Sequence, residues 1–469
     1  MNFAELHFWF YLACILGPVL AIRPMYRRLA LGGKSNMARY DRTTVLIVGL
    51  FLLGCVSPTT LAIFLFVCVV TYLGLNLYLR SKGKHRTAFL FVLVPLQLLP
   101  LAYYKYGHFG LNGILQLNLS GLSELAVPVG LSFYTFQVVG FVIDTVIHQH
   151  PLPRFLDFMN FAGFFPQIVA GPIERRENLL PQMENFRFQW DAQAINEGAK
   201  WIVLGLFFKL CLADNLAIHF DPSADDNSFL IWLNNLIFGL RIYYDFAGYS
   251  FIALGVARCL GIRLTLNFAS PYLACDAQDF WRRWHITLST WFRDYIYLPL
   301  GGSHTKMWVF SILAVFVVSG IWHGAGWNFM LWGGLWGLML IGFHFFKRFK
   351  LPRLLGWPAT MLGAFFAWLC FYETRTGILL DKLLIILNPL SYNIEALHQA
   401  LATFEPGKGL VLATFLLLSI ATLATEYLSL RRHGEPYALF QKPGVLFILV
   451  IMTVLLNSSA KNDFIYFAF

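Results

Sequence analysis

The sequence predicts an all-α, polytopic integral membrane protein. Hydrophobic residues make up 58% of its 469 residues and charged residues only 13%, which is about half the charged share of a soluble domain. Apolar runs recur along the whole chain, and backbone polar groups inside lipid are satisfied only in helices or in a closed barrel. Because the runs are continuous and do not alternate with polar residues, they indicate helices. We expect a single domain, residues 1–469, without linkers or internal repeats.

Basic residues divide the apolar runs into membrane crossings. The segments 23–42 and 80–86 are rich in Lys and Arg, so the positive-inside rule assigns both to the cytoplasm and the N-terminus to the outside. Residues 43–79 are too long for one span and contain Pro58, which predicts a helical hairpin. Residues 155–172 are apolar but have basic segments on both sides, which predicts a re-entrant segment or one buried within protein. The other predicted spans are 8–22, 87–104, 128–147, 198–219, 229–257, 307–323, 326–346, 357–372, 410–427 and 444–458, while 376–400 has no single assignment.

Composition argues against several other classes of protein. The first apolar run follows Glu5 and has no basic segment before it, which argues against a removable signal peptide. The seven cysteines show no CxxC or Cys/His spacing, and we infer neither a metal site nor a disulfide. The formal net charge of +10 comes from bases at the ends of apolar runs, so we infer a lipid bilayer and no nucleic acid as partner. His148 and His150 are interpreted as part of a solvated loop, because no third ligand is near them in sequence.

The strongest local feature is the segment VSGIWHGAGWNFMLWGG, residues 318–334. His323 stands there among tryptophans and glycines, at a short turn between two predicted spans. An ionisable group inside a membrane is a functional candidate by default, and a neutral imidazole suits proton abstraction from a hydroxyl. The alternative is a hydrogen-bonded packing histidine or a residue of an interfacial aromatic belt. The residues alone support function and packing about equally.

The second feature is DFWRRWHITLSTWFRDYIYLPLGG, residues 279–302. Read as one helix, the segment has an apolar face that includes Trp284 and a polar face that includes Arg282 and Arg283. This pattern is typical of a helix that lies in the cytoplasmic interface. Its arginines suit the phosphates of an anionic donor, with His285 turned inward. On periodicity alone, electrostatic docking to anionic lipid is favoured.

Two other groups of charges are interpreted as structural. Arg241 and Asp245 lie four residues apart, so we expect them to share a helix face and neutralise each other. Lys209 and Asp214 lie near a predicted helix end. There, snorkelling of the lysine to the interface is the simplest explanation.

The histidine-containing segments belong to longer blocks that resemble a known family. NFASPYLACDAQDFWRRWHITLSTWFRDYIYLPLGG, followed by SGIWHGAGWNFMLWG, looks like the two hallmark blocks of bacterial membrane-bound O-acyltransferases, the MBOAT family. Shorter similar blocks lie at 129–137, 164–182, 212–217 and 242–250. Within the family, the sequence most resembles the membrane subunits of alginate O-acetylation. Relatives of that group act on cellulose and peptidoglycan, and more distant members transfer D-alanine in teichoic acid synthesis.

The resemblance implies a fold and roles for individual residues. The implied fold is a ring of transmembrane and re-entrant helices around a thin centre pierced by a tunnel. His323 takes the position of the central catalytic histidine of the family. His285 takes the position of the second histidine, toward the cytoplasmic mouth, where it assists the positioning of the donor. Arg282, Arg283 and Trp284 are then candidates for donor binding.

The tail, residues 464–469, resembles the FxYxxF segment associated with acyl relay in this group. The resemblance implies that Tyr466 carries the acyl group. A phenol has a pKa near 10 and leaves more readily than an alkyl alcohol, so a tyrosyl ester stays transferable. An interfacial aromatic anchor is the alternative, and the two are about equally supported.

The predicted function is that of a membrane O-acetyltransferase. The donor is acetyl-CoA, which acts as a substrate and not as a bound cofactor, and His323 is the general base. The acceptor is an exopolysaccharide of the alginate or cellulose type, reached through a periplasmic partner of the SGNH type. The predicted location is the bacterial inner membrane, with several crossings and both termini in the periplasm. Peptidoglycan is the alternative acceptor, and the alternatives from other classes are a transporter or channel with no covalent step and a scaffold that recruits a synthase.

Overall fold

The computed structural model of the protein describes residues 5–29, 34–81, 86–117, 126–224, 227–346, 353–458 and 464–465. Helices dominate these residues, which confirms the predicted all-α class. In chain order they are α1 (Leu6–Leu29), α2 (Lys34–Val56), α3 (Pro58–Arg80), α4 (Arg86–Leu101), α5 (Leu131–Ile147), α6 (Phe155–Ala162), α7 (Arg176–Glu184), α8 (Ala192–Leu206), α9 (Asp214–Ala217), α10 (Ser228–Cys259), α11 (Ala277–Arg283), α12 (Ile286–Phe292), α13 (Trp308–His323), α14 (Trp327–Phe346), α15 (Arg353–Tyr372), α16 (Thr376–Leu387), α17 (Ile394–Ala402), α18 (Pro406–His433) and α19 (Pro443–Leu455). Wider π-helical turns extend α4 through Ile114, α8 through Ala213 and α12 through Tyr297.

Several helices have the length and composition of membrane spans. Apolar helices shorter than a full span are α5, α13 and α19. The protein is therefore a multi-pass membrane protein, as the sequence predicted. In the described part of the chain, the six stretches long and apolar enough to cross a membrane are His7–Arg28, Pro58–Arg80, Ala88–Tyr106, Trp327–Phe345, Leu355–Tyr372 and Pro406–His433.

The predicted break in the long apolar run 43–79 lies at Ser57, between α2 and α3. The Ser57 hydroxyl oxygen accepts a hydrogen bond from the Thr59 backbone N–H at 3.2 Å, which caps α3. Pro58 occupies the first position of that helix, where its missing N–H leaves no helical bond unmade. The break prediction is confirmed.

Residues 155–172 do not form a helix of membrane length. α6 ends at Ala162, and the irregular backbone after it is buried as far as residue 174. Gln137 of α5 supports this backbone: its amide nitrogen donates to the Phe161 carbonyl at 2.7 Å, and its carbonyl oxygen accepts from the Gln167 amide at 3.0 Å. The interpretation of a segment buried within protein is confirmed, because irregular backbone at membrane depth needs such partners.

Packing divides the chain into two compact units. The first unit comprises residues 1–202 and 252–265, and the second comprises residues 203–251 and 266–469. In the first unit, the buried Arg42 pairs with Asp157 at 2.6 Å, and its carbonyl accepts from the Asn160 amide at 3.0 Å. These contacts join α2 to α6. Both histidines predicted to be functional lie in the second unit.

In the second unit, α13 and α14 pack backbone to backbone. A Cβ atom on Gly320 would overlap the carbonyl of Phe329, and one on Gly333 would overlap the carbonyl of Phe316. Only glycine permits so close an approach of two helices. The turn 324–326 joins them, so His323 at the end of α13 is held firmly against α14.

The stretch 376–400, which has no single assignment from sequence, contains the short helices α16 and α17. Lys382 of α16 is buried and lies 2.9 Å from the carboxylate of Glu373. Arg375 pairs with the same carboxylate at 2.8 Å. Two cations on one carboxylate fix α16 to the end of α15.

Candidate active site

His323 is the last residue of α13, and its imidazole is enclosed by aromatic rings. Its centroid lies 4.9 Å from that of Trp322, 4.9 Å from that of Trp332 and 5.2 Å from that of Phe371, each in an edge-to-face arrangement. Such contacts fix the plane of the ring and exclude water from it. We call the apolar space enclosed by these three rings the chamber. An ionisable group in such surroundings interacts strongly with charge that develops during a reaction.

The segment 279–302 is not one continuous helix, so that prediction was wrong. α11 ends at Arg283, α12 begins at Ile286, and His285 between them has φ 43° and ψ 54° in the left-handed region. Backbone hydrogen bonds of 2.9 Å run from Ile286 to the carbonyl of Asn267 and from Ala269 to the carbonyl of Arg283. These bonds to a segment distant in sequence outweigh the helical periodicity and stabilise the strained conformation.

The Asn267 side chain determines which nitrogen of the His285 ring carries the proton. Asn267 Oδ1 accepts from the Thr287 backbone N–H at 3.2 Å and from the Thr287 hydroxyl at 2.9 Å, which identifies this atom as oxygen. It faces His285 Nδ1 at 3.2 Å, so Nδ1 carries the proton and Nε2 is the basic nitrogen of the neutral ring. Burial lowers the pKa of His285 to about 3. The ring is therefore neutral at physiological pH.

One indole connects the two histidines. The Trp322 centroid lies 6.0 Å from that of His285 and 4.9 Å from that of His323. The structure thus brings the two residues together around Trp322, although 38 positions separate them in sequence. Trp322 was not among the predicted site residues, and its position beside His323 was the signal that could have identified it.

A cavity of about 400 Å³ lies beside α11, α12 and α13. Arg282 and Arg293 line it, together with apolar side chains such as Ile286 and Phe316. Ser319 also lines the cavity, and it precedes His323 by one helical turn on the same face of α13. The cavity therefore combines cationic and apolar surface close in sequence to the enclosed imidazole.

Only one of the three residues predicted to bind the donor lines this cavity. Arg282 does so, whereas Arg283 pairs with Asp279 at 2.8 Å and Trp284 is buried against Trp368, with 5.1 Å between ring centroids. Arg293 joins Arg282 instead. The one-helix interpretation also placed arginines of this segment on a polar face suited to donor phosphates, but Arg293 was not among the residues named for donor binding.

Tyr466 lies outside the described residues, but the two residues before it are described and buried. The Phe464 ring stacks on Tyr249 with 4.8 Å between centroids, and it lies 5.6 Å from Phe246. Phe246 in turn lies 4.7 Å from His285, edge to face. One aromatic ring thus separates the described part of the tail from the second histidine.

The charges predicted as two separate structural groups form one buried cluster. Lys209 Nζ lies 2.8 Å from Asp214 Oδ1 and 2.7 Å from Asp245 Oδ1. The prediction that Lys209 snorkels to the interface was therefore wrong, since its side chain is buried. Lys209 forms the close ion pair with Asp245, and Arg241, the partner that we expected, interacts electrostatically with the same carboxylate. The π-helical turn at 207–213 is an insertion of the kind often found at functional sites.

The first unit has a cavity of its own, of about 570 Å³, lined by Arg42, Arg154, Arg187 and two acidic side chains. It contains neither predicted histidine, so we do not take it as the catalytic site. In the described ranges, no three His, Cys, Asp or Glu side chains lie together in a way that would hold a metal ion.

The fold and the site define a multi-pass helical membrane protein with two buried histidines around one indole. Residues 142–380 match the family described as MBOAT, membrane-bound O-acyltransferase family. The chain belongs to this family. This confirms both the resemblance seen in the sequence and the prediction that the protein is an acyltransferase.

Three proteins to which the chain is similar carry names with different activities. A protein of Pseudomonas syringae named probable alginate O-acetylase is 31% identical over 411 residues, which cover 82% of this chain and 76% of the relative. The peptidoglycan O-acetyltransferase of Helicobacter pylori is 31% identical over 341 residues, or 64% of each chain. The teichoic acid D-alanyltransferase of Streptococcus thermophilus is 28% identical over 354 residues, or 69% of this chain and 80% of the relative. The names of these relatives agree on acyl transfer and differ in the acceptor and, for the D-alanyltransferase, in the acyl group.

Proposed function

We propose that this protein takes acetyl from acetyl-CoA in the cytoplasm and passes it across the bacterial inner membrane for O-acetylation of an exopolysaccharide of the alginate or cellulose type. The observation that carries the proposal is the cavity with Arg282 and Arg293 in its lining, which reaches Ser319, one turn from His323. A donor bound there has its anionic part at the guanidinium groups and its acyl part near the imidazole.

The arginines suit the phosphates of the donor. Guanidinium groups form charge-assisted, often bidentate hydrogen bonds with phosphate oxygens. Arg293 is largely exposed and has Asp294 as a neighbouring partner at 2.7 Å, which a phosphate displaces at low cost because exposed ion pairs are weak. The apolar lining, which includes Ile286 and Phe316, favours a thioester over a charged carboxylate.

In the proposed reaction His323 acts as a general base. Its neutral imidazole accepts the proton of the acceptor hydroxyl, and the hydroxyl oxygen forms a bond to the carbonyl carbon of the thioester. The carbon–sulfur bond breaks, and the CoA thiolate takes the proton from the imidazolium, so the products are an acetyl ester and CoA. The enclosing aromatic rings exclude water, which otherwise hydrolyses the thioester. His285 acts as a positioning residue: through Trp322 it fixes the wall of the chamber.

The immediate acceptor in this proposal is Tyr466, which hands acetyl to a periplasmic partner of the SGNH type. The described contacts of Phe464 with Phe246, and of Phe246 with His285, support a tail that reaches the chamber. With both termini in the periplasm, the acyl group crosses the membrane and CoA stays in the cytoplasm. Peptidoglycan is the alternative final acceptor, and the similarity to the Helicobacter pylori enzyme favours keeping it.

The test uses purified full-length protein and acetyl-CoA labelled in the acetyl group. His323→Ala is expected to lower the rate of CoA release and of acetyl transfer by about 100-fold to 10,000-fold, the usual contribution of a general base. His344→Ala is the matched control, because His344 lies on α14 and contacts Trp308, 4.4 Å between centroids, away from the chamber. It is expected to retain activity.

Two outcomes contradict the proposal. If wild-type protein releases no CoA above background and forms no acetyl adduct, the protein is a scaffold or a transporter. If His323→Ala and His344→Ala transfer acetyl equally, the imidazole at 323 is a packing residue. Polymer from cells that express each variant then distinguishes the acceptors, since only the true acceptor loses its O-acetyl groups in His323→Ala.

A further inference from the structure

Two side chains of the second unit, Asn215 and Asp245, form hydrogen bonds to the backbone at the end of α19 and at the tail. The Asn215 amide donates a hydrogen bond to the backbone carbonyl of Leu456, just after α19, at 2.8 Å. The Asp245 carboxylate accepts one from the backbone N–H of Ile465 at 2.7 Å. The backbone is thus held at Leu456 and again at Ile465, each time by a side chain that recognises a main-chain group.

The Asp245 carboxylate is itself fixed by the buried charge cluster. Lys209 Nζ binds its Oδ1, which leaves Oδ2 for Ile465. Lys209 also binds Asp214, the residue before Asn215. Buried charges need opposite charges and hydrogen-bond partners nearby. Here the lysine neutralises the two carboxylates, and the backbone N–H of Ile465 donates a further hydrogen bond to one of them. The two attachment points therefore belong to one network.

Ring contacts add to the hydrogen bond at Ile465. Phe464 is buried on Tyr249, a residue of the same helix as Asp245 and one turn further along it. A backbone hydrogen bond carries no side-chain specificity, whereas an aromatic pocket one residue away selects the register. Together they define which tail residue lies at Asp245.

We propose that Asn215 and Asp245 form a two-point clamp on the backbone at Leu456 and Ile465, which sets the register of the tail so that Phe464 lies against Phe246. Both are positioning residues for the acyl relay. This inference rests on the proposed function for its purpose, but the clamp itself is measured without acetyl transfer. The ligand of the clamp is the chain's own backbone, at Leu456 and at Ile465.

The sharpest test removes one backbone N–H and leaves the charge cluster intact. Ile465→Pro has no backbone N–H to donate to Asp245. Ile465→Ala also loses the isoleucine side chain but keeps that N–H, so it is the matched control. Each is made in full-length protein with a benzoylphenylalanine photo-crosslinker at position 464, and adducts to α10 are quantified by mass spectrometry. A hydrogen bond to a charged acceptor shifts docking by about tenfold or more. We expect the adduct yield to fall about that much in Ile465→Pro relative to Ile465→Ala.

A second variant tests the other end. Asn215→Leu removes the amide donor to Leu456 together with its hydrogen bond to the Cys211 carbonyl at 2.9 Å. Lys209 and both carboxylates are unchanged, and we expect the variant to lower the same adduct yield. Melting temperatures close to that of the parent show that both variants fold. Equal yields in Ile465→Pro and Ile465→Ala, with both folded, overturn the clamp.

Kinetics separate a positioning role from a merely structural one. We expect Ile465→Pro to lower kcat for acetylation of the periplasmic acceptor while the KM for acetyl-CoA stays unchanged, because neither of the described tail residues, Phe464 and Ile465, lines the donor cavity. If the adduct yields differ as predicted but Tyr466→Phe acetylates polymer normally, the clamp stands and the relay is refuted. If acetyl transfer requires Tyr466 but the adduct yields are equal, the relay stands and the clamp is refuted.

Discussion

Two adjacent glycines of α14 test the packing of α13 on α14, because one lies in close contact with α13 and the other faces open space. A Cβ atom at Gly333 would overlap the Phe316 carbonyl, whereas at Gly334 it would meet nothing within 4 Å. Because non-bonded heavy atoms prefer about 3.5–4.0 Å, Gly333→Ala forces the two helices apart by roughly 1 Å or more. Such overpacking costs about 1–3 kcal/mol, and a 1 Å displacement of a catalytic group lowers the rate by about 100-fold. Gly334→Ala avoids both effects and slightly favours the helix.

The measurement compares the two alanine variants in one detergent. Thermal unfolding reports the change in stability, and CoA release from acetyl-CoA reports the rate of the folded fraction. We expect Gly333→Ala to unfold at a lower temperature and to lose about two orders of magnitude in kcat, with Gly334→Ala close to wild type. If both variants retain wild-type kcat, the close contact of these helices does not position His323.

Three further predictions concern groups around the chamber and its supports. Asn267→Asp places a carboxylate at Nδ1 of His285 and raises its pKa, so the acid limb of the pH–rate profile moves to higher pH; an unmoved limb means that the protonation of His285 does not affect the rate. Arg282→Ala is expected to raise the KM for acetyl-CoA about tenfold, the value of one charge-assisted hydrogen bond. Arg283→Ala is the control and should leave KM unchanged, because the Arg283 side chain lies outside the cavity lining. If steady-state kinetics give equal KM values for the two variants, the cavity is not the donor site. Burial acts to raise the pKa of Glu373, but hydrogen bonds from its two basic partners outweigh this and lower it to about 2; the stability it provides is therefore complete above its unfolded-state pKa of about 4.3 and is lost as the pH falls toward 2. Unfolding followed between pH 6 and pH 3 should show a flatter dependence in Glu373→Gln, and parallel curves contradict this assignment.

The sequence was sufficient for features that depend on local composition. The continuous apolar runs predict helices because lipid leaves the backbone no other partner. The break at Ser57 follows from a capping serine before a proline, and the turn after His323 follows from glycines that end one helix and begin the next. In each case the residues that determine the structure are neighbours in sequence.

The features that sequence reasoning missed depend on partners far along the chain. Periodicity favours one helix over 279–302, but hydrogen bonds from the segment around Asn267 break it at His285. Lys209 reads as an interfacial lysine until Asp245, 36 positions later, is placed beside it. The one-helix interpretation placed Arg282, Arg283 and Arg293 on one polar face, but it could not show that the cavity lining includes Arg293 and leaves out Arg283. Tertiary contacts of this kind leave no local pattern, so periodicity alone could not predict them.

The left-handed backbone of His285 affects how substitutions there are interpreted. Few side chains adopt that conformation readily, and asparagine is one of them, whereas alanine is disfavoured. An inactive His285→Ala protein would combine a rebuilt junction of α11 and α12 with the loss of an imidazole. His285→Asn retains the conformation and removes only the ring. The difference in activity between His285→Ala and His285→Asn therefore measures the effect of the backbone conformation, and the difference between His285→Asn and wild type measures the effect of the imidazole.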